Sequence, residues 1–108
     1  MQEIHHTQKL DSPSGTAITT ANILLDEIDS YNSWQEGDSD KENSIAIEAL
    51  RKPDIPGTHS VSYVSDVDQL AIKHTAKSRD GFALGAVLAA EFLKGKTGYF
   101  TMKDLIKL

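Results

Sequence analysis

The stretch from Glu3 to Ala17, EIHHTQKLDSPSGTA, constrains the fold more than any other, because it joins an extended run to a marked helix start. Met1 to Thr7 is short and partly apolar and predicts a strand that delivers His5 and His6 to its end. From Ser14 or Gly15 to about Ile28, the residues Ala17, Ile18, Ala21, Leu24, Leu25 and Ile28 recur at spacings of three and four. That is the stripe of an amphipathic helix with one face on a sheet. Pro13 is tolerated at or just before a helix start, and Ser14 or Thr16 can cap or bind there. Such a start leaves amide N–H groups unpaired, which is where an anion can bind. Lys9 and both imidazoles can face that anion, so the residues predict a pocket for a small carboxylate or phosphate compound with a proton donor beside it.

The rest of the chain reads as scaffold. Asp29 to Ser44 is polar, acidic and without period, and predicts a loop that Trp34 anchors. Ile45 to Leu50 alternates weakly and predicts a strand, followed by turn punctuation at Pro53 and Pro56-Gly57. His59 to Val64 and Leu70 to Ala76 predict two more strands, with Ser65 to Asp68 as a hairpin loop. Gly81 to Lys94 predicts a helix apolar nearly all round, with Gly95 as its stop, and such a helix expects cover on more than one side. Thr101 to Asp104 resembles a capping box opening a short helix through Leu108.

The bulk properties narrow the function. At 108 residues the chain suits one domain, 1–108, with a real core. The absence of cysteine removes disulfide frameworks and thiolate metal sites, and no apolar run approaches a membrane span or a secretory signal. A soluble, cytoplasmic protein is the expectation. The net charge of −5 argues against a nucleic-acid surface. Seven acids against one lysine between Asp26 and Glu42 account for all of it, leaving the remainder near +1 and open to an anionic ligand.

The Glu3 to Ala17 string also resembles the signature that opens the substrate-binding domain of the dihydrodipicolinate reductase family, a Glu-x-His-His-x-x-Lys-x-Asp-x-Pro-Ser-Gly-Thr-Ala run. Lys73 to Val87, KHTAKSRDGFALGAV, resembles a later block of the same family. The resemblance implies an α+β fold, a mixed β-sheet packed by helices, that serves substrate binding and oligomerisation in a two-domain, dinucleotide-dependent reductase. The direct run from Pro56-Gly57-Thr58 to His59 implies one strand fewer than the family's usual sheet. No GxGxxG or GxxGxxG turn follows a strand, so the expectation is that the Rossmann domain is absent and that the chain does not bind NADPH or NADH tightly or turn over alone.

By position, the resemblance implies His5 as proton donor or acceptor and Lys9 as a second proton donor. His6, Ser14, Gly15 and Thr16 fall on substrate contacts, with Gly15 and Thr16 gripping a carboxylate. Arg79 and Phe82 fall near the nicotinamide of the cofactor. The implied reaction adds hydride from NAD(P)H to a cyclic unsaturated dicarboxylate in lysine and diaminopimelate biosynthesis, in a homotetramer. An imidazole suits the accompanying proton transfer because it titrates near neutral pH. Three rival readings remain at this point. The chain can be a pure oligomerisation module, a Schiff-base lyase with Lys9 as nucleophile, or a histidine-ligated metal enzyme. The last is the weakest, because neighbours on a strand diverge and only Glu3 and Asp11 stand near as further ligands.

Overall fold

The computed structural model describes residues 1–106. The chain gathers into two compact units, the first Met1–Ala76 and the second beginning at Lys77. The first unit is a five-stranded sheet with one helix. In chain order its elements are β1 (Gln2–His5), α1 (Gly15–Glu27), β2 (Ser33–Glu36), β3 (Ser44–Arg51), β4 (Thr58–Val64) and β5 (Gln69–Thr75). The strands lie in the order β2-β3-β1-β4-β5. β3 runs parallel to both β1 and β2, whereas β4 runs antiparallel to β1 and β5, so the sheet is mixed as expected.

The strand, helix start and hairpin of the sequence reading are all present, and Ser65 to Asp68 closes the β4–β5 hairpin with a backbone bond from Ser65 N–H to the Asp68 carbonyl at 2.9 Å. Ser14 caps α1, its Oγ accepting the Ala17 N–H at 3.2 Å. The expected loop from Asp29 to Ser44 needs correction: it contains β2, an edge strand in register with β3 from Ser33 opposite Ser44. Trp34 lies within that strand, and its indole N–H donates to Asn22 Oδ1 on α1 at 3.0 Å. The apolar core of this unit is small. Ala17 and Ala21 of α1 meet Ile47 of β3, with Met1 and Trp34 packed against them. Small residues on the helix face let its backbone approach the sheet closely, so a large side chain at either alanine would overpack it at about 1–3 kcal/mol.

The second unit holds α2 (Asp80–Leu93) and α3 (Met102–Ile106). Gly95 takes φ +74°, the left-handed conformation that ends a helix and that glycine adopts without strain. Thr101 and Asp104 form the anticipated box: the Thr101 N–H and Oγ1–H both donate to Asp104 Oδ2, at 2.7 and 2.9 Å. The last residues of the expected helix, Lys107 and Leu108, lie outside the described residues. No residue of α2 is buried. Phe92 meets Phe100 edge to face at 5.7 Å, and the Lys96 ammonium sits over the Phe92 ring.

Candidate functional site

Glu3 and His5 stand two apart on β1, so they share the face of the sheet on which α1 packs. Glu3 is completely buried, and a buried charge persists only where it is paired and hydrogen-bonded. It meets that condition in three ways. Arg51 Nη1 donates to both of its oxygens at 3.1 and 3.0 Å, the Ser14 N–H donates to Oε1 at 3.0 Å, and His5 Nδ1 lies 2.5 Å from Oε2. Burial pushes the Glu3 carboxyl up, but the hydrogen bonds from His5, Ser14 and Arg51 together outweigh it and hold the group below its ordinary value of 4.5. The sheet register brings Arg51 there, because parallel pairing sets it opposite His5. Its other arm, Nη2, donates to the Asp11 carbonyl at 2.8 Å and so pins the loop before α1.

His59 arrives from β4, where antiparallel pairing sets it opposite Glu3. Its Nε2 lies 3.0 Å from Ser14 Oγ, and its ring meets that of His5 edge to face at 5.0 Å. Burial, with the nearby His5, lowers its pKa below the ordinary 6.5, against an opposing pull from Glu3. Gly57, one residue before β4, lies against the His5 ring: a Cβ there would stand 3.1 Å from His5 Nε2. Any side chain at 57 would press on the one ring nitrogen that Glu3 does not hold.

The start of α1 is the open part of the group. Ser14 is buried and all its polar groups are engaged by protein, so it shapes the helix start from inside. Gly15 and Thr16 are exposed, and among the described residues no protein group accepts from their N–H groups. The positive end of the helix dipole therefore faces outward with two free donors. Lys9 lies on the loop between β1 and α1, its Nζ 2.8 Å from Asp11 Oδ1. That hydrogen bond holds the Asp11 carboxyl below its ordinary 3.8. His6, half-buried, follows the strand directly, and its carbonyl accepts the Lys9 N–H at 3.2 Å.

One connected group thus contains His5, Lys9 and Ser14 of the sequence reading, with Gly15 and Thr16 at its rim. Arg79 and Phe82 belong to the second unit, Arg79 at the N-cap position of α2 without a side-chain cap bond and Phe82 exposed in its first turn. Three members of the group, Arg51, Gly57 and His59, carry no site signal in the sequence. Glu3 enters the sequence reading only as a metal ligand, although its two-residue spacing from His5 puts both on one strand face. Among the described residues, no group of three or more histidine or acidic side chains is arranged to hold a metal ion. No helix is long and apolar enough to cross a membrane. A separate cavity of about 440 Å³ opens beyond the start of β1, between Ser44–Ala46 of β3 and Val61–Val64 of β4, and shares no residue with this group.

Residues 1–106 match the family described as dihydrodipicolinate reductase, C-terminus. The 4-hydroxy-tetrahydrodipicolinate reductase of Christiangramia forsetii is 58% identical over 106 residues, covering 98% of this chain and 44% of that protein. That of Clostridium novyi is 42% identical over 110 residues, 97% of this chain and 44% of the relative. A solved structure titled as dipicolinate-bound dihydrodipicolinate reductase from Paenisporosarcina sp. TG-14 superposes with a TM-score of 0.65 at 26% identity, over 81% of this chain and 36% of that one. The chain spans less than half the length of these relatives. The chain belongs to the dihydrodipicolinate reductase family, in the part that forms its C-terminal region.

Proposed function

We propose that this chain holds the cyclic, unsaturated dicarboxylate of a 4-hydroxy-tetrahydrodipicolinate reductase and supplies the proton that accompanies its reduction. One observation carries the reading: two exposed, unaccepted amides at Gly15 and Thr16 start the same helix whose cap, Ser14, is tied through Glu3 to His5. A carboxylate bound at those amides and the Thr16 hydroxyl is stabilised by the helix terminus and the nearby cations. His5 then transfers a proton to the ring, and Lys9 acts as a second donor from the neighbouring loop. His6 contributes to substrate contact. The ion pair of Lys9 with Asp11 suits an ammonium that donates and not the neutral amine a Schiff base requires.

Hydride for such a reduction comes from a nicotinamide nucleotide. The described residues do not fit one by themselves: β1, α1 and β2 form a crossover, but the connection from Thr7 to Ser14 has no glycine to bring a pyrophosphate onto the helix start. On this reading the 108 residues bind the dicarboxylate without turning it over. By the family resemblance, Arg79 and Phe82 bind the nicotinamide cofactor, in an enzyme that is a cytoplasmic homo-oligomer of lysine and diaminopimelate biosynthesis.

Dipicolinate, to which the related Paenisporosarcina reductase is bound, is the probe for the test. Titrated into the chain and followed by amide NMR, it is expected to move the Gly15 and Thr16 signals most. Thr16→Val is expected to weaken binding about tenfold, by leaving a carboxylate oxygen short of a donor. Unmoved Gly15 and Thr16 amides at millimolar dipicolinate would sink the reading. In a full-length relative carrying these residues, His5→Gln and Lys9→Ala should cut turnover and leave cofactor affinity intact.

A further inference from the structure

The assignment of His5 as the proton-transferring group leaves open which ring nitrogen does the work and what fixes it. We propose that Glu3, clamped by Arg51, is the positioning residue that keeps the hydrogen of His5 on Nδ1, so that Nε2 alone gains and loses the exchanged proton. This rests on the role given to His5 above.

The donors around Glu3 decide the tautomer. Every other group around the Glu3 carboxylate can only donate: the Arg51 guanidinium reaches both oxygens, and the Ser14 N–H reaches Oε1. A protonated Glu3 would have to hand its hydrogen to Nδ1 across 2.5 Å while Arg51 Nη1 stood 3.0 Å from the same oxygen. The guanidinium opposes that arrangement, because it stabilises the anion and has no lone pair for a hydroxyl hydrogen. An ionised carboxylate only accepts, so Nδ1 must be the donor. The neutral ring is then the Nδ1–H tautomer and the charged ring adds its second hydrogen at Nε2. When the charged ring donates, the Nε2–H bond breaks, the proton passes to the acceptor, and the electron pair stays on Nε2. The Nδ1–H···Glu3 bond is unchanged throughout, so the side chain need not rotate or tautomerise between cycles. Gly57 completes the arrangement by keeping the Nε2 edge free of a side chain.

The test is the tautomer of His5 in the ¹⁵N-labelled chain, read from two-bond ¹H–¹⁵N ring correlations at neutral pH and assigned by the signal lost in His5→Gln. The wild-type chain is expected to show the Nδ1–H pattern. Glu3→Gln places an amide where Oε2 lies; its NH₂ donates to Nδ1, and the pattern is expected to invert to Nε2–H. Glu3→Asp retains a carboxylate and is expected to restore Nδ1–H at least in part. An Nε2–H or freely averaged pattern in the wild type overturns the proposal without any variant. So does an unchanged pattern in a folded Glu3→Gln chain. A chain with the Nδ1–H pattern that never binds dipicolinate would leave this proposal standing and remove the substrate reading instead.

Discussion

The region around Glu3 and the helix α2 solve opposite problems. Glu3 is a fully buried charge whose partners, Arg51, Ser14 and His5, all lie within its own unit. The helix α2 is rich in Phe, Leu, Val and Ala, yet none of its residues is buried, and Phe82, Leu84 and Val87 are each more than half exposed. The polar region is complete in itself, whereas the apolar helix has surface without cover. Burial in this chain thus follows the needs of the ion pair more closely than it follows hydropathy. The ion pair fixes the position of a strand, a loop and a helix start at once.

The largest effect should come from breaking that pair. Arg51→Met keeps much of the aliphatic stem but leaves Glu3 buried without its cation, and removal of one partner of a buried pair typically costs about 3–5 kcal/mol. Urea denaturation at neutral pH is expected to show a loss of that size. Below the ordinary Glu3 value of 4.5 the penalty should shrink, because the orphaned carboxylate can take a proton. A loss under about 1 kcal/mol would mean that Arg51 is solvated and that the polar region is not self-contained.

The sequence disclosed this region unevenly. Glu3 and His5 share a face by the two-residue period of a strand, and Pro13-Ser14-Gly15-Thr16 advertised the helix start, so half of the group was legible locally. Arg51 and His59 are 48 and 45 residues from Glu3 and Ser14 respectively, and they arrive only through strand register. Register between β1, β3 and β4 is set by which faces are buried, not by any short motif. β2 is hidden in the sequence for a related reason. A four-residue parallel edge strand has no hairpin turn to announce it, and its residues Ser33, Gln35 and Glu36 look like loop. The α2 and hairpin assignments were correct because both signals are local.

A second test uses pH and is smaller. His59 has a folded-state pKa below its ordinary 6.5, so the unfolded chain takes up a proton first as the medium is acidified. Its contribution is complete above about pH 6.5 and is lost as pH falls from there toward the lower folded value, at no more than about 1.4 kcal/mol per pH unit. The lowered Glu3 and Asp11 carboxyls act later, their stabilisation being lost only below about 4.5 and 3.8. His5, Glu3, His74 and Lys9 all bear on His59, so the comparison that isolates it is His59→Gln against wild type between pH 7.5 and 5.5. The variant should lose the slope. A parallel slope in both chains would assign the acid sensitivity to another of those groups.

The smallest effect is expected on α2, and it decides whether the contrast holds in solution. Val87 is 55% exposed, so Val87→Ala removes little buried surface, and alanine's better helix propensity offsets part of that loss. The change in unfolding free energy should stay within about 0.5 kcal/mol at micromolar or lower concentration. The same measurement repeated at rising concentration distinguishes a bare helix from one that a second copy covers, because association adds stability by mass action. A penalty that grows with concentration would mean that α2 finds in another chain the cover Glu3 finds at home. A penalty above about 2 kcal/mol at every concentration would mean that Val87 is packed within the chain itself, and the contrast between the two regions would then fail.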